Sequence, residues 1–561
     1  MKTYTFLCTL AATMLFSTSC QDLLKEQPDS YYEKENFFQA VSNAEMAVTG
    51  IYDVMAKLDH YGQYEMAMPC SDDTYFIDGT GSDNTRRDIA HYTISSSNDW
   101  IESVWQYKYQ GIDRANYAIQ GIEQMPEYAA NDSRVIPLVA QARFLRAFFA
   151  FDLVRYFGDV PFKTTYTANH EDAFQPRSNR EVIYDQIIAD LDYAKNNLPW
   201  GSSGSSPERA TQGAARALLM RVYLQRAGYS LQLDGRTTRP ADDKRKAYFE
   251  AVINEWQAFQ ANGYHTFDAE GYQALFKRFS FGSLNSTESL FEIAFYTPDG
   301  SREDAGNWGT YNGPKVAEPD KSADKSAVMG RANAFFRAVP EWRGFFEPTD
   351  ARRDVMICTY QYEWKNGKHV KKENAMDVTK EQWYPGKWRR EWMPIGYKEP
   401  NNTDVNYCVL RYADVVLMAA EAYNELGSTT QAWALLNSVR SRSGATPITM
   451  ANYASLLKAP RVYNLPYIDD TDEKGKFRTA LYWERGFELA FEGQRKYDLI
   501  RWNVLADALT LFGENIAPKL KKANIYPAYL NFTKGKHELF PIPLDEIQLN
   551  KKLEGIQNPG Y

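Results

Sequence analysis

The stretch ERGFELAFEGQRKYDLIRW, residues 484–502, holds the side chains whose types and spacing come closest to a catalytic set. Glu484, Glu488 and Glu492 recur every fourth residue beside Arg485, Arg495, Lys496 and Asp498. Two carboxylates facing each other about 5 to 10 Å apart across a cleft could serve a glycoside hydrolase as acid and base. Wound into a helix, the same residues form a polar flank beside an apolar stripe of Trp483, Phe487, Ala490, Phe491 and Tyr497. Arg485 can then meet Glu488, Glu492 can meet Arg495 or Lys496, and Asp498 can meet Arg501. A carboxylate kept charged by a neighbouring cation is a poor proton donor. The spacing therefore favours a structural role.

Other catalytic signatures are missing. The six histidines, at 60, 91, 170, 265, 369 and 537, are scattered without metal-ligand spacing. There is no G-x-S-x-G and no phosphate-cradling glycine loop. DDTDEKG at 469–475 offers Asp470, Asp472 and Gly475 to calcium, but Lys474 stands where an EF-hand loop needs Asp or Asn. It reads as a solvated turn. No cofactor is expected, and calcium in an aspartate-rich loop stays an open alternative.

Mostly helical elements must position whatever site exists. VAQARFLRAFFAFDLVRYF, 139–157, puts Ala142, Leu145, Phe149 and Leu153 on one stripe and stops at Gly158 and Pro161. Further helices are expected over 181–197, 210–227, 245–261, 411–426 and 430–442. Ala422, Tyr423 and Gly427, followed by Ala432 and Leu436, place small residues where two antiparallel helices touch, which resembles a tetratricopeptide repeat. Two regions break the pattern. Residues 71–100 are rich in Asp, Gly, Ser and Thr, and residues 296–400 hold six of the thirteen tryptophans. Disordered segments avoid aromatics, so the second region is expected to fold.

The first residues indicate export. Lys2, an apolar run from Phe6 to Phe16 and small residues to Ser19 describe a secretory signal over 1–19. Cys20 directly after it resembles a lipoprotein lipobox, with Ser17 departing from the usual leucine, and implies acylation at Cys20. No later apolar run approaches the roughly 20 residues of a spanning helix. The net charge of −8 argues against nucleic acid. Apart from Cys8 and Cys20, only Cys70, Cys358 and Cys408 occur, which is no disulfide framework.

Several segments, in order, resemble the SusD/RagB family of Bacteroidetes outer-membrane lipoproteins. They are YEKENFFQAVSNAEMAVTGIYD at 32–53, WQYKYQGIDRAN at 105–116, ARFLRAFFAFDLVRYFGDVPF at 142–162, LRYADVVLMAAEAYNELG at 410–427, the 484–502 stretch and the ending LFPIPLDEIQLNKKLEGIQNPGY. The resemblance implies an all-α, SusD-like fold: a right-handed superhelix of about four tetratricopeptide-like pairs. One domain over 20–561 would comprise a scaffold of 32–70, 101–295 and 401–561 and ligand-face loops of 71–100 and 296–400. It also implies no catalysis, an outer-membrane lipid anchor, and a SusC-like TonB-dependent transporter that receives captured oligosaccharide or polysaccharide.

A sugar binder needs flat rings for C–H faces and Asp, Asn or Arg for the hydroxyl rim. The first loop, DDTYFIDGTGSDNTRRD, supplies Asp73 and Arg86, with Trp100 after it. The second, FYTPDGSREDAGNWGTYNGP, follows the strand-like run SLFEIAF and supplies Tyr296, Trp308 and Tyr311. These six are the expected ligand-binding residues. The rival readings are a tetratricopeptide-type scaffold lipoprotein that binds only protein, a peptide-binding homologue, and the hydrolase.

Overall fold

The computed structural model describes residues 37–76, 81–374, 383–456, 470–516 and 526–561. The expected signal and Cys20 lie outside them. The scaffold runs through α1 (Val41–Ala56), α2 (Asp99–Glu123), α3 (Ile136–Phe157), α4 (Arg180–Asn197), α5 (Gln212–Ala227), α6 (Asp242–Asn262), α7 (Tyr412–Glu425), α8 (Thr429–Arg442) and α9 (Glu473–Leu489). They pack as pairs, α1 with α2, α3 with α4, α5 with α6 and α7 with α8, and each pair packs on the next, α8 closing against α9. The result is an all-α architecture of four helix pairs in succession. The α7–α8 turn follows its sequence. Gly427 takes φ +86°, a left-handed conformation that costs other residues, while Ala422, Ala432 and Leu436 are fully buried.

Helix α3 is the centre of the stack. Its expected stripe is buried, but so are Phe144, Phe148 and Phe151 on its other sides, as befits a helix packed all round. Its charged residues are therefore paired internally. Arg146 holds Asp190 at 2.6 and 2.8 Å, and Asp152 accepts from the Lys108 ammonium at 2.9 Å.

The 484–502 stretch is not one helix. Helix α9 stops at Leu489, Phe491 and Gly493 take φ +67° and +81°, and a new helix runs from Arg495 to Arg501. The apolar stripe is buried as expected. The acids are paired, but by distant cations. Glu484 accepts from Arg352 at 2.6 Å and Arg440 at 2.8 Å, and Glu488 from Arg411 at 2.6 Å and Arg352 at 3.1 Å, with Arg442 also on it. Glu492 sits in the turn and is held by Arg411 at 2.6 Å and by Lys387. Arg485 goes instead to Asp498 at 2.7 Å and Asp414 at 2.9 Å, and of the expected local pairs Asp498–Arg501 forms, at 2.8 Å. The break explains the change: it swings Glu492, Arg495 and Lys496 off the helix that would have aligned them. Burial alone would raise the Glu488 carboxyl, but Arg442, Arg411 and Arg352 outweigh it and hold the group well below the usual carboxylate range.

The DDTDEKG turn is likewise structural where it is described. Asp472 caps α9 by accepting from the Gly475 N–H at 2.7 Å, and Asp470 accepts from the Tyr453 hydroxyl at 2.6 Å.

Strands attach the irregular regions. Ser289–Ile293 pairs antiparallel with Tyr407–Arg411, so the insertion of 296–400 leaves and rejoins the scaffold on neighbouring strands between α6 and α7. Within it, Tyr360–Lys365 and Lys368–Glu373 form a hairpin about Asn366 and Gly367, at φ +52° and +74°. A second ladder joins the two irregular regions themselves: Thr74–Phe76 pairs antiparallel with Phe336–Ala338.

Candidate functional site

Where that ladder brings the two regions together, aromatic rings gather around one guanidinium. Arg86 opens the short helix Arg86–His91. Its Cζ lies 4.0 Å from the Phe335 ring centroid and 5.7, 5.8 and 5.9 Å from those of Trp100, Phe76 and Tyr311. Phe76 comes from the first ladder strand, Phe335 precedes the second, and Tyr311 meets Phe335 edge-on at 4.7 Å. Trp100 stands on the first turn of α2, which Asn98 caps by accepting from the Trp100 and Ile101 N–H groups at 3.1 and 3.2 Å. Asn98 also donates to the Thr85 carbonyl at 3.0 Å, tying that cap to the base of the Arg86 helix.

The outer layer is Tyr64, stacked on Trp100 at 4.1 Å and 11°. The Tyr64 hydroxyl is pushed up to about 12 by burial and then by the charge of Asp59. Asp59 in turn pairs with exposed Arg302 at 2.7 Å. Burial draws the Arg86 guanidinium below its ordinary value, partly offset by Tyr311 and Asp83. No described acid lies within ion-pair distance of Arg86, and its buried Nε has no hydrogen-bond partner. Rings, an uncommitted guanidinium and the Asp59–Arg302 pair can together offer stacking faces, donors and an acceptor to a polyol.

Of the six residues expected to bind, the structure brings Arg86, Trp100 and Tyr311 together. Trp100, at 4 % exposure, backs Tyr64 rather than presenting a free face. Asp73 is buried beneath. It accepts from the Phe491 N–H at 3.1 Å and the Ser71 hydroxyl at 3.2 Å, fixing the break after α9. Burial, reinforced by Asp72, pushes its carboxyl up to about 6. Trp308 is 2 % exposed, stacked on Tyr407 at 4.1 Å and donating to the Tyr61 carbonyl at 3.0 Å. These two belong to the core, because the strand carrying Tyr407 and the α9 break close over them. Tyr296 is 70 % exposed but lines a different pocket of about 250 Å³, with Tyr52 and Arg209. Tyr64, Phe76, Phe335, Asp59 and Arg302 were not anticipated. Arg302 lies within the aromatic loop quoted above, whereas Tyr64 sits between helices with no pattern to mark it.

A cavity of about 950 Å³ lies elsewhere on the insertion, between Phe281, Ile395 and Asn402, and includes none of the six. Among the described residues no helix is long and apolar enough to cross a membrane.

Comparison with known proteins agrees with this architecture. The family described as SusD family matches residues 250–561, and a second, described as starch-binding associating with outer membrane, matches 22–224. SusD-like protein P25 of Formosa agariphila is 25 % identical over 575 residues, covering 98 % of each chain. A SusD homolog from Bacteroides thetaiotaomicron superposes with a TM-score of 0.79 at 27 % identity, over 94 % of this chain and 98 % of that one. A laminarin-binding SusD-like protein does so with a TM-score of 0.65 at 25 % identity, over 93 % and 100 %. With more than half of its residues matched by one family model and the rest of the scaffold shared with these proteins, the chain belongs to the SusD family.

Proposed function

We propose that this protein is a glycan-binding lipoprotein that captures oligosaccharide or polysaccharide at the Arg86 cluster and passes it to a SusC-like TonB-dependent transporter. The observation that carries the reading is the Arg86 guanidinium, surrounded by four aromatic rings and, among the described residues, left without an acid partner. A partly buried cation of this kind costs free energy unless something completes its hydrogen bonds, and sugar hydroxyls do so while pyranose faces lie on Tyr64 and Tyr311. The laminarin-binding relative and the starch-binding family description support carbohydrate as the ligand class. Acylation at Cys20 would hold the body at the outer membrane's surface. The reading invokes neither a cofactor nor a bond-breaking step. The three glutamates whose spacing raised the hydrolase reading are buried and held by arginines and a lysine.

A protein-binding scaffold would use the helix pairs and leave the aromatic cluster without a purpose. Affinity electrophoresis through gels containing a panel of polysaccharides separates the two. Retardation by at least one glycan, with no release of reducing ends, is expected. Unchanged mobility in every gel would favour the scaffold, and reducing-end release would favour a hydrolase.

A further inference from the structure

Helix α2 carries a second concave surface beyond Trp100. Trp105, Tyr109, Ile112 and Asn116 recur at spacings of three and four and so share one face. The chain from Pro161 to Gln175, together with Glu546, closes over that face and leaves a cavity of about 410 Å³. Small-molecule sites run from about 300 to 1,000 Å³. None of its lining residues belongs to the Arg86 cluster.

The enclosure is held in place before any ligand arrives. The Tyr109 hydroxyl donates to the Pro161 carbonyl at 2.7 Å. Asp113 accepts from the Thr167 N–H at 2.7 Å and its hydroxyl at 2.8 Å. Asn116 donates to the Lys163 and Thr165 carbonyls at 3.2 and 3.1 Å. A preformed cavity spares a ligand the cost of ordering the loop.

Its lining is chemically mixed in a particular way. The floor is aromatic, with Trp105 and Tyr109 rings 4.8 Å apart and Phe162 beside them. The rim carries the amides of Gln106, Gln110 and Gln175, which can donate and accept. Lys163 adds a cation whose ammonium has no hydrogen-bond partner among the described residues, and Asp113 and Glu546 add two acids. Two acids against one lysine disfavour an anionic ligand. Flat rings below amides suit a molecule with a C–H face and neutral hydroxyls.

We propose that this cavity is a second saccharide site, separate from the Arg86 cluster, that takes one neutral hexopyranose unit. Two sites on one chain let a polysaccharide bind bivalently, so that a weak second contact raises retention well beyond its own affinity. The proposal stands on the cavity's own geometry and survives or fails independently of the Arg86 reading.

The test is saturation-transfer NMR on the full chain with the methyl α- and β-glycosides of glucose, galactose and mannose. Ala173 is exposed and lines the cavity, so Ala173→Trp fills it, while Gln110→Ala removes one rim amide. At least one glycoside should receive saturation from the wild type and still receive it from Arg86→Ala, in whose background both cavity substitutions are read. The signal should fall about tenfold in Ala173→Trp and clearly in Gln110→Ala. An unchanged far-UV spectrum checks the fold of Ala173→Trp, and Gln110→Ala decides alone if that variant unfolds. No transfer from any of the six glycosides, transfer that both cavity variants leave intact, or transfer lost in Arg86→Ala would each overturn the proposal.

Discussion

Arg495 grips Asp72 through two parallel hydrogen bonds, Nε to Oδ1 and Nη2 to Oδ2, each 2.9 Å long, across 423 positions of sequence. Both side chains are buried. The pair ties the start of the first irregular region to the break after α9, and the adjacent Asp73 completes the tie through the Phe491 N–H. The ligand face thus rests on the C-terminal helices through a charge pair. Asp72→Ala would leave a buried guanidinium uncompensated, and a loss of about 3–5 kcal/mol in urea unfolding is expected. A loss below about 1 kcal/mol, the scale of exposed ion pairs, would show that the pair does not hold this joint.

Acid should loosen the scaffold through Glu488. Its carboxyl lies below its unfolded value of 4.5 because Arg442, Arg411 and Arg352 outweigh burial. The stabilisation is complete above about pH 4.5 and is lost as pH falls through the depressed folded value. Asp414, held at about 2 as Arg485 and Arg221 outweigh burial, acts in the same direction. Urea midpoints should therefore decline steadily from pH 5 to pH 3. A flat profile over that window would contradict this account of the network.

Lys496 predicts a slope of the same sign, stability rising with pH, at the other end of the scale. Burial draws its ammonium down to about 7, only partly resisted by Cys70 and Glu538. Its ammonium donates to the Met68 carbonyl at 3.3 Å. The unfolded chain binds this proton up to about pH 10.5 and the folded one releases it near 7, so the site's contribution to stability rises with pH between those values. Lys496→Met should stabilise the protein at neutral pH by on the order of 2 kcal/mol. That gain should shrink towards pH 10, and a gain independent of pH would rule out the charge as its cause.

Trp308 and Tyr311 stand three residues apart and should fail differently. Trp308→Ala empties a core site between Tyr407 and Trp388, 4.1 and 5.1 Å away, and should cost about 3–5 kcal/mol. The folded fraction should still bind glycan. Tyr311→Ala, at the half-buried edge of the cluster, should lose binding with little change in the urea midpoint. Calorimetric melting beside gel retardation of both variants reads the contrast.

Much of the fold was legible because a period of 3.6 residues and Gly or Pro stops are local signals. The helix expected over 181–197 spans Arg180–Asn197, and that over 430–442 spans Thr429–Arg442. The pairing of the 484–502 acids was not legible, since Arg352 and Glu488 are 136 positions apart and meet only once the chain is folded. Asn366-Gly367 between YQYEWK and KHVKKE did carry a hairpin signal, obscured by reading 296–400 as irregular. The site fell between these cases. Arg86, Trp100 and Tyr311 converge because the two loops face one another, as the resemblance to SusD-like proteins implied. Which aromatic stays outside is decided by partners from elsewhere: Tyr407 buries Trp308, and Trp100 leaves Tyr64 as the outer ring.

The claim that a guanidinium set among aromatic rings, with no acid partner among the described residues, grips the ligand is tested most directly by substituting it. Isothermal titration of the wild type and Arg86→Ala with whichever polysaccharide retards the protein gives the answer. Removing hydrogen bonds from a charged donor, worth about 2 kcal/mol, should raise Kd about thirtyfold with an unaltered melting temperature. A Kd within about twofold of the wild type would place the ligand elsewhere on the molecule and contradict the assignment of the site.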